Sequence, residues 1–190
     1  DFLVSMSTKS LGLHLYAEKK FGSASEWAKK KFVLGDVNVS LIQTVNGKVI
    51  TLYHDTSSPR PYTRIHIVQG TKGLFERWPD RVYIEGRSKF DEWDPLDGYL
   101  VEYDHPVWKE LEARSKGAGH GGMDYIEDYR LVRALRSGRP LDIDVYDGAA
   151  WSVITPLSEW SVANRSRPAD VPDFTRGGWK APRELQVMMA

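Results

Sequence analysis

The 190 residues carry 26 basic and 26 acidic side chains, so no net field would attract nucleic acid or an anionic membrane surface. The lack of cysteine excludes disulfides and thiol catalysis, and no apolar run is long enough to span a bilayer. We expect one domain over residues 1–190, because a chain of this length buries about 70% of the surface it exposes when unfolded.

The first third of the chain predicts a β-hairpin that follows a strand and two helices. The chain starts at Asp1-Phe2-Leu3-Val4, within an apparent strand and without an initiator methionine, so we expect it to belong to a longer protein. Before the hairpin we predict a strand over Phe2–Ser7, a helix over Leu11–Phe21 that Gly22 ends, and a short helix through Trp27 and Phe32 that Ser25 caps. The hairpin is indicated by alternation from Val37 to Thr44, a two-residue turn at Asn46-Gly47, and a returning run from Val49 to His54.

Further β-rich runs indicate the fold class. We predict strands over Thr63–Gln69, Leu74–Glu76 and Arg81–Glu85, with a turn over Gly70–Gly73. Antiparallel strands with long helices elsewhere in the chain predict an α+β domain. We expect an open, mainly antiparallel sheet with helices packed on one face, which leaves the other face to a partner.

An acidic, aromatic segment from Phe90 to His105 lacks clear periodicity, and we predict a surface loop there. Paired carboxylates can catalyse glycoside hydrolysis. The candidates for such a pair are Glu92, Asp94, Asp97, Glu102 and Asp104. A solvated loop explains their number more simply, so we predict no catalytic role for them.

Helices dominate the second half. Pro106 fits the first turn of a helix over Val107–Ser115. Met123–Ser137 combines an apolar stripe with acidic residues early and basic residues late, as the helix dipole favours, and Gly138 supplies its stop. A further helix from Val145 to Trp160 contains Pro156, which should kink it or split it in two. The tail from Arg167 to Ala190 is rich in proline and predicts an extended surface segment.

His120 lies in the turn Gly119-His120-Gly121-Gly122, just before the helix that starts at Met123. The turn would present backbone N–H groups and an imidazole to a ligand above the helix N-terminus. Alternatively, His120 only bonds to nearby backbone. Residues Gly117–Gly122 also match the dinucleotide fingerprint G-x-G-x-x-G, but that fingerprint must follow a strand, and this stretch follows a predicted helix.

A second candidate site is the connection Ser58–Arg64 between two predicted strands. Two prolines restrict the backbone around Arg60, and Tyr62 has an amphipathic ring that can stack on a sugar or hydrogen-bond with it. We expect Tyr62 to lie at a strand start. The alternative is a stiff connection with ordinary surface side chains. No zinc-protease motif, Walker loop, nucleophile elbow or metal-spaced histidine cluster is present in the sequence, so we predict no catalytic or metal-binding residue.

Seven short motifs together resemble the C-terminal domain of the NAD-dependent α-N-acetylgalactosaminidase family of glycoside hydrolases. They are His54-Asp55-Thr56, Pro59-Arg60-Pro61-Tyr62, Gln69-Gly70-Thr71-Lys72-Gly73, Gly119-His120-Gly121-Gly122-Met123-Asp124, Asp144-Val145-Tyr146-Asp147, Ser161-Val162-Ala163-Asn164-Arg165 and Pro172-Asp173-Phe174-Thr175-Arg176-Gly177. The resemblance spans nearly the whole chain. That family is part of the larger group that resembles glucose–fructose oxidoreductase and inositol dehydrogenase.

The resemblance implies a division of labour between two domains. An N-terminal Rossmann domain, absent from these 190 residues, would bind NAD, and the α+β domain would complete the sugar pocket. NAD would transiently oxidise the sugar C3 hydroxyl, which acidifies the C2 proton and permits elimination of the aglycone, followed by water addition and hydride return. Tyr62 would contact the substrate, and Arg60 and His120 are weaker candidates for the same role.

The resemblance leaves two alternatives open. In the first alternative, the chain is the corresponding half of a sugar dehydrogenase or isomerase. In the second, it is an assembly module that pairs through its sheet. The implied partners are an N-acetylgalactosaminide or related carbohydrate and further copies of the chain in a homo-oligomer. A periplasmic or secreted location fits the family, although the sequence shows no signal for it.

Overall fold

The computed structural model describes residues 1–181, which fall into two compact units. Residues 1–60 and 143–181 form the first unit, and residues 61–142 form the second. Each unit combines α-helices with a four-stranded antiparallel sheet, so the α+β prediction is confirmed, with its antiparallel strands divided between two sheets. The expectation of one domain over residues 1–190 stays a prediction.

The strands run antiparallel in two separate ladders. The first sheet has the order β3-β2-β1-β8 and the second β4-β5-β6-β7. The strands are β1 (Phe2–Ser7), β2 (Val37–Gln43), β3 (Val49–Asp55), β4 (His66–Gly70), β5 (Gly73–Arg77), β6 (Arg81–Ile84), β7 (Asp94–Pro95) and β8 (Ala169–Asp170). The helices are α1 (Gly12–Phe21), α2 (Glu26–Lys29), α3 (Asp97–Tyr103), α4 (Pro106–Ser115), α5 (Met123–Ser137), α6 (Val145–Ser152) and α7 (Ile154–Ala163). No helix within residues 1–181 is both long enough and apolar enough to cross a membrane.

The core of the first unit lies between β1 and α7. Leu3 and Ser5 project from the same face of β1 and are both buried. Strand β8 pairs only with Phe2 and Leu3, so the edge of β1 beyond Leu3 needs another partner. The Ser161 hydroxyl of α7 takes that place, because it accepts the Ser5 N–H at 2.9 Å. The α7 helix is thereby bonded directly to the sheet.

The predicted hairpin between β2 and β3 is confirmed, but the predicted two-residue turn is wrong. Gly47 N–H bonds to the Thr44 carbonyl at 2.9 Å, and the ladder resumes where Thr44 N–H bonds to the Lys48 carbonyl at 2.8 Å. The loop therefore has three residues. A two-residue type I′ turn needs positive φ at both central positions, whereas Gly47 alone has it here, at 74°.

Local helix signals located the helices well. The helix α5 has the predicted bounds, and Gly138 ends it in the left-handed region at φ 63°. The predicted break near Pro156 is also confirmed, because α6 ends at Ser152 and α7 starts at Ile154. Proline has no N–H to donate to the carbonyl four residues earlier, and its ring crowds that carbonyl. For Pro156 that carbonyl belongs to Ser152, where α6 stops.

Two predictions in the second unit are corrected. Strand β4 begins at His66, so Tyr62 lies in the preceding loop and not at a strand start. Two prolines near Tyr62 restrict the backbone and remove ladder donors there. The segment from Phe90 to His105 is likewise not a plain loop, because it contains β7 and α3. The predicted extended tail lies partly outside the described residues.

Asp94 explains why the acidic segment is ordered. Its carboxylate accepts hydrogen bonds from the Ser88 hydroxyl at 2.7 Å and from the Tyr99 hydroxyl at 2.6 Å, which ties α3 to the end of the second sheet. The bond from Ser88, and after it the bond from Tyr99, holds the pKa of Asp94 below its usual value. The Ser88 bond has the larger effect. The order therefore comes from tertiary hydrogen bonds, which a periodicity argument does not detect.

Candidate functional site

Tyr62 presents a largely exposed ring on the second unit, with 69% of the residue accessible. The edge of the ring meets Trp78, with centroids 5.5 Å apart and an interplanar angle of 89°. Arg64 Nε–H donates to the Tyr62 hydroxyl oxygen at 2.6 Å. The oxygen accepts this bond, and the Tyr62 O–H is left able to donate to a ligand.

Trp78 holds this aromatic group together. Its ring lies 5.4 Å from the ring of His66 at the start of β4, and the Arg77 guanidinium lies 5.0 Å from the centroid of Trp78. Edge-to-face and cation–π contacts of this kind add rigidity to an exposed cluster. Tyr62 is therefore supported on a platform, although it belongs to a loop. Sequence reasoning did not identify Trp78, since it lies 16 positions from Tyr62.

Arg60 belongs to the first unit, and one side of its guanidinium group faces Asp55. Its Nε lies 3.7 Å from Asp55 Oδ2, and the Asp55 side chain is only 8% exposed. The Ser58 backbone N–H donates to Asp55 at 3.1 Å and is the main cause that lowers the pKa of Asp55. Asp55 is thus an anion that orients Arg60, and the remaining guanidinium N–H groups are the ones that can meet a ligand.

His120 occupies the glycine turn with its side chain largely exposed. The residue has φ 51°, and its Nδ1 lies 2.8 Å and 3.0 Å from the two carboxylate oxygens of Asp124. An ionised carboxylate can only accept, so Nδ1 is the donor, and Nε2 is an acceptor whenever the ring is neutral. The contact between His120 and Asp124 was not predicted. Its signal in the sequence is an acidic residue four positions after the histidine, in the first turn of the following helix.

Gly122 of the turn is required by the backbone. It has φ 101°, and a Cβ there would lie 2.6 Å from the Ser115 hydroxyl oxygen. A Cβ at Gly119 would meet only the end of the exposed Asp124 side chain, which can move aside. The turn follows helix α4 and not a strand, which agrees with the reason for rejecting the dinucleotide fingerprint at Gly117–Gly122.

The three candidate residues have separate environments. Tyr62 and His120 both belong to the second unit, yet among residues 1–181 no hydrogen bond, ion pair or ring contact joins them. The acidic segment has its own partners, because Glu92 pairs with Lys89 and Glu102 pairs with Arg87. Within the described part of the chain, no group of three or more potential ligands is arranged to hold a metal ion.

The comparisons with known proteins all point to the same family. Residues 1–181 match the protein-family model described as "Glycosyl hydrolase 109, C-terminal domain". Three similar proteins are each named "Glycosyl hydrolase family 109 protein": one from Solibacter usitatus is 49% identical over 181 residues, one from Shewanella amazonensis 46% over 193, and one from Shewanella pealeana 44% over 192. These matches cover 95%, 99% and 99% of this chain.

The same alignments cover only 41% to 42% of the relatives' own lengths, in their C-terminal part. The chain therefore spans about two fifths of the proteins it matches. The family model nevertheless extends over nearly the whole chain, and the identities are high throughout. The chain belongs to glycosyl hydrolase family 109 and represents the C-terminal domain of that family.

Proposed function

We propose that this chain is the substrate-binding half of an NAD-dependent glycosidase of the α-N-acetylgalactosaminidase type. Membership of glycosyl hydrolase family 109 supports a carbohydrate substrate. The arrangement of Tyr62 carries the proposal, because an exposed ring whose hydroxyl can still donate suits a pyranose, which has apolar faces and hydroxyl acceptors. Alone, the chain should be inactive.

NAD is assigned to a Rossmann domain outside these residues. The glycine-rich stretch Gly117–Gly122 does not fit a dinucleotide, because it connects α4 to α5 and has no preceding strand. We therefore assign no step that involves NAD to the residues of this chain. Its part in the proposed reaction is to bind and orient the sugar.

The two candidate residues of the second unit offer different hydrogen bonds to a sugar. Tyr62 can donate through its hydroxyl, and His120, in its neutral form, can accept through Nε2 while Asp124 holds Nδ1. Arg60, in the first unit, is a separate candidate that can donate through the guanidinium N–H groups that do not face Asp55. A neutral sugar hydroxyl both donates and accepts, so each of these groups can bond to it without any net charge on the ligand.

The test uses the full-length protein and 4-nitrophenyl α-N-acetylgalactosaminide, with nitrophenol release as the readout. Tyr62→Phe removes one neutral hydrogen bond, which contributes about 0.5–1.5 kcal/mol, so kcat/KM should fall about two- to tenfold while Tm stays unchanged. Tyr103→Phe is a matched control, because the Tyr103 hydroxyl also accepts from an arginine, Arg87, at 2.6 Å. The control should retain wild-type kinetics.

Two results would contradict the proposal in different ways. Accumulation of NADH without nitrophenol release, in the presence or absence of added sugar acceptors, would indicate the sugar dehydrogenase alternative. Equal kinetics for the wild type and Tyr62→Phe, with a lower Tm for Tyr62→Ala, would show that Tyr62 is a packing residue.

A second proposed role, assembly, rests on the first sheet. Apart from Gln43, the β1 and β2 residues opposite the face that packs on α7 are apolar, and several are exposed, among them Met6 and Leu41. Val49 and Tyr53 continue this face on β3. A contiguous apolar face of this kind is typical of an interface, and we propose that a second copy of the chain covers it.

Light scattering over a dilution series tests assembly. Leu41→Lys places a charge at the centre of the face and should shift the chain toward monomer. Val101→Lys is the control, since Val101 is equally apolar and highly exposed on α3 in the second unit. A wild-type chain that is monomeric at every concentration would rule this role out for the isolated chain.

A further inference from the structure

A concave pocket of about 480 Å³ lies in the second unit beside the turn between β4 and β5. Its volume is within the range of about 300–1,000 Å³ that small-molecule sites occupy. Its lining includes Lys72, Tyr83, Glu85, Phe90, Asp91 and Trp93. The lining does not include Tyr62, Arg60 or His120.

Two aromatic side chains give the pocket an apolar surface, and one of them, Trp93, is held in place by a neighbour. Phe90 is 88% exposed, and Trp93 retains 40% exposure although one side of its ring is covered. That cover is the Arg81 guanidinium, 4.2 Å from the ring centroid, and Glu76 in turn accepts from Arg81 Nε at 2.7 Å. Trp93 is therefore held in place before any ligand arrives, which lowers the entropy cost of binding.

The polar side chains match hydroxyl groups better than an anion. Glu85 and Asp91 supply acceptors and Lys72 supplies donors, while Lys89 offsets the charge of Glu92. The carboxylates of Glu85 and Asp91 outnumber the ammonium group of Lys72, so a phosphate or a uronic acid would meet repulsion. A neutral sugar instead offers apolar ring faces to Trp93 and Phe90, together with hydroxyls that both donate and accept.

The pocket is also separate from Tyr62. It adjoins the β4–β5 turn, whereas Tyr62 contacts Trp78 in the β5–β6 turn, beyond the opposite end of β5. The five residues of β5 separate these ends by about 13 Å at 3.3 Å per residue. One monosaccharide ring bound at Tyr62 would not reach the part of the pocket at the β4–β5 turn, which Gly70, Thr71 and Lys72 line.

We propose that this pocket is a second carbohydrate-binding site, which takes a neutral monosaccharide or disaccharide unit stacked on Trp93 and Phe90. Gly73 shapes the site, because a Cβ there would lie 2.5 Å from the Tyr83 carbonyl oxygen and would push β5 away from β6. The site goes beyond the proposed function and does not depend on it. In a glycosidase, such a site would hold a neighbouring part of a longer glycan near the enzyme.

The test is an NMR titration of the ¹⁵N-labelled 190-residue chain with methyl α-N-acetylgalactosaminide. The indole N–H signal of Trp93, assigned by its loss in Trp93→Phe, should shift saturably with a millimolar Kd. Phe90→Ala should weaken binding at least about tenfold through lost apolar contact. Tyr62→Ala and Val101→Ala, which alter exposed residues outside the pocket, should leave the Trp93 titration unchanged. Galacturonic acid should bind more weakly than the neutral sugar.

Three results would overturn this inference. They are a Trp93 signal that does not shift up to the solubility limit of the sugar, a preference for galacturonic acid, and binding that is lost in Tyr62→Ala but kept in Phe90→Ala. The last result would place all sugar binding at Tyr62 and leave the proposed function intact. Conversely, a saturable shift at Trp93 in a protein whose full-length form releases no nitrophenol would support the pocket and contradict the glycosidase.

Discussion

Replacing Ser161 by alanine should remove the hydroxyl that bonds α7 to the first sheet. In the folded chain the Ser161 Oγ accepts the Ser5 N–H at 2.9 Å and donates to the Arg167 carbonyl at 2.8 Å, and both Ser161 and Ser5 are buried. Alanine fits the same space. The change therefore leaves polar backbone groups without partners while the packing is nearly preserved.

The Ser5 N–H, left without a partner in Ser161→Ala, determines how much stability is lost. A buried donor without a partner costs about 1–3 kcal/mol, whereas the carbonyl of Arg167, an exposed residue, can be hydrated. We expect the free energy of unfolding to fall by about 1–3 kcal/mol. For a domain of this size each kcal/mol lowers Tm by about 2–4 °C, so the Tm should fall by about 2–12 °C.

Calorimetry on Ser161→Ala and Ser158→Ala provides the comparison. Ser158 lies on the same helix, but its hydroxyl bonds only to the Thr155 carbonyl within that helix, so its loss should change stability by less than about 0.5 kcal/mol. Amide exchange of Ser5 should accelerate in Ser161→Ala alone. If both variants have the same Tm and the Ser5 amide stays protected from exchange, the Ser161 hydroxyl does not hold α7 to β1.

Three further changes have defined outcomes. Gly122→Ala should lower stability by more than about 1 kcal/mol by thermal melting, because φ is 101° and the new Cβ would lie 2.6 Å from the Ser115 oxygen. The lowered pKa of Asp94 means that its charge stabilises the fold fully above the unfolded pKa near 4, and that this stability is lost as pH falls from there through the folded pKa. The Tm difference between wild type and Asp94→Asn should therefore begin to shrink as pH falls below about 4. Asp124→Asn should shift the neutral His120 ring toward the Nε2–H tautomer, which imidazole ¹⁵N shifts report.

Each of these expectations has a result that contradicts it. Gly121→Ala is the control for Gly122, since Gly121 has positive φ but open space around a new Cβ, and an equal loss in both variants would remove the steric argument. A Tm difference between wild type and Asp94→Asn that does not shrink at all between pH 5 and pH 2 would show that the charge of Asp94 is not the cause. An unchanged tautomer in Asp124→Asn would mean that the carboxylate does not orient His120.

The local sequence determined the features that depend on neighbours in the chain. The bounds of α5 followed from its charge order and from Gly138, and the break before α7 followed from Pro156, because helix ends and proline effects act within about four residues. Alternation likewise identified β2 and β3 as an antiparallel pair. The turn between them was harder to predict, because the choice between a two-residue and a three-residue loop depends on φ at Asn46, and its residue type permits both conformations.

The candidate residues were identified by residue type and motif, but their chemical state required the tertiary structure. Tyr62 was expected at a strand start and instead lies in a loop, where Arg64 orients its hydroxyl and Trp78 supports its ring. His120 depends on Asp124 in the same way. A sequence shows which groups are present, whereas hydrogen-bond direction depends on distances of about 3 Å.

Only the tertiary structure brought together residues that are distant in the chain. Ser161 bonds to Ser5 across 156 positions, and Arg81 covers Trp93, which lies beyond the end of β6. No periodicity or short motif encodes such contacts, because they arise from the packing of complete helices and strands against one another. The sequence by itself therefore determined the α+β class, most of the helices and strands, and the family resemblance. The division into two sheets, the attachment of α7 to β1 and the pocket beside the β4–β5 turn were decided by the packing of those elements.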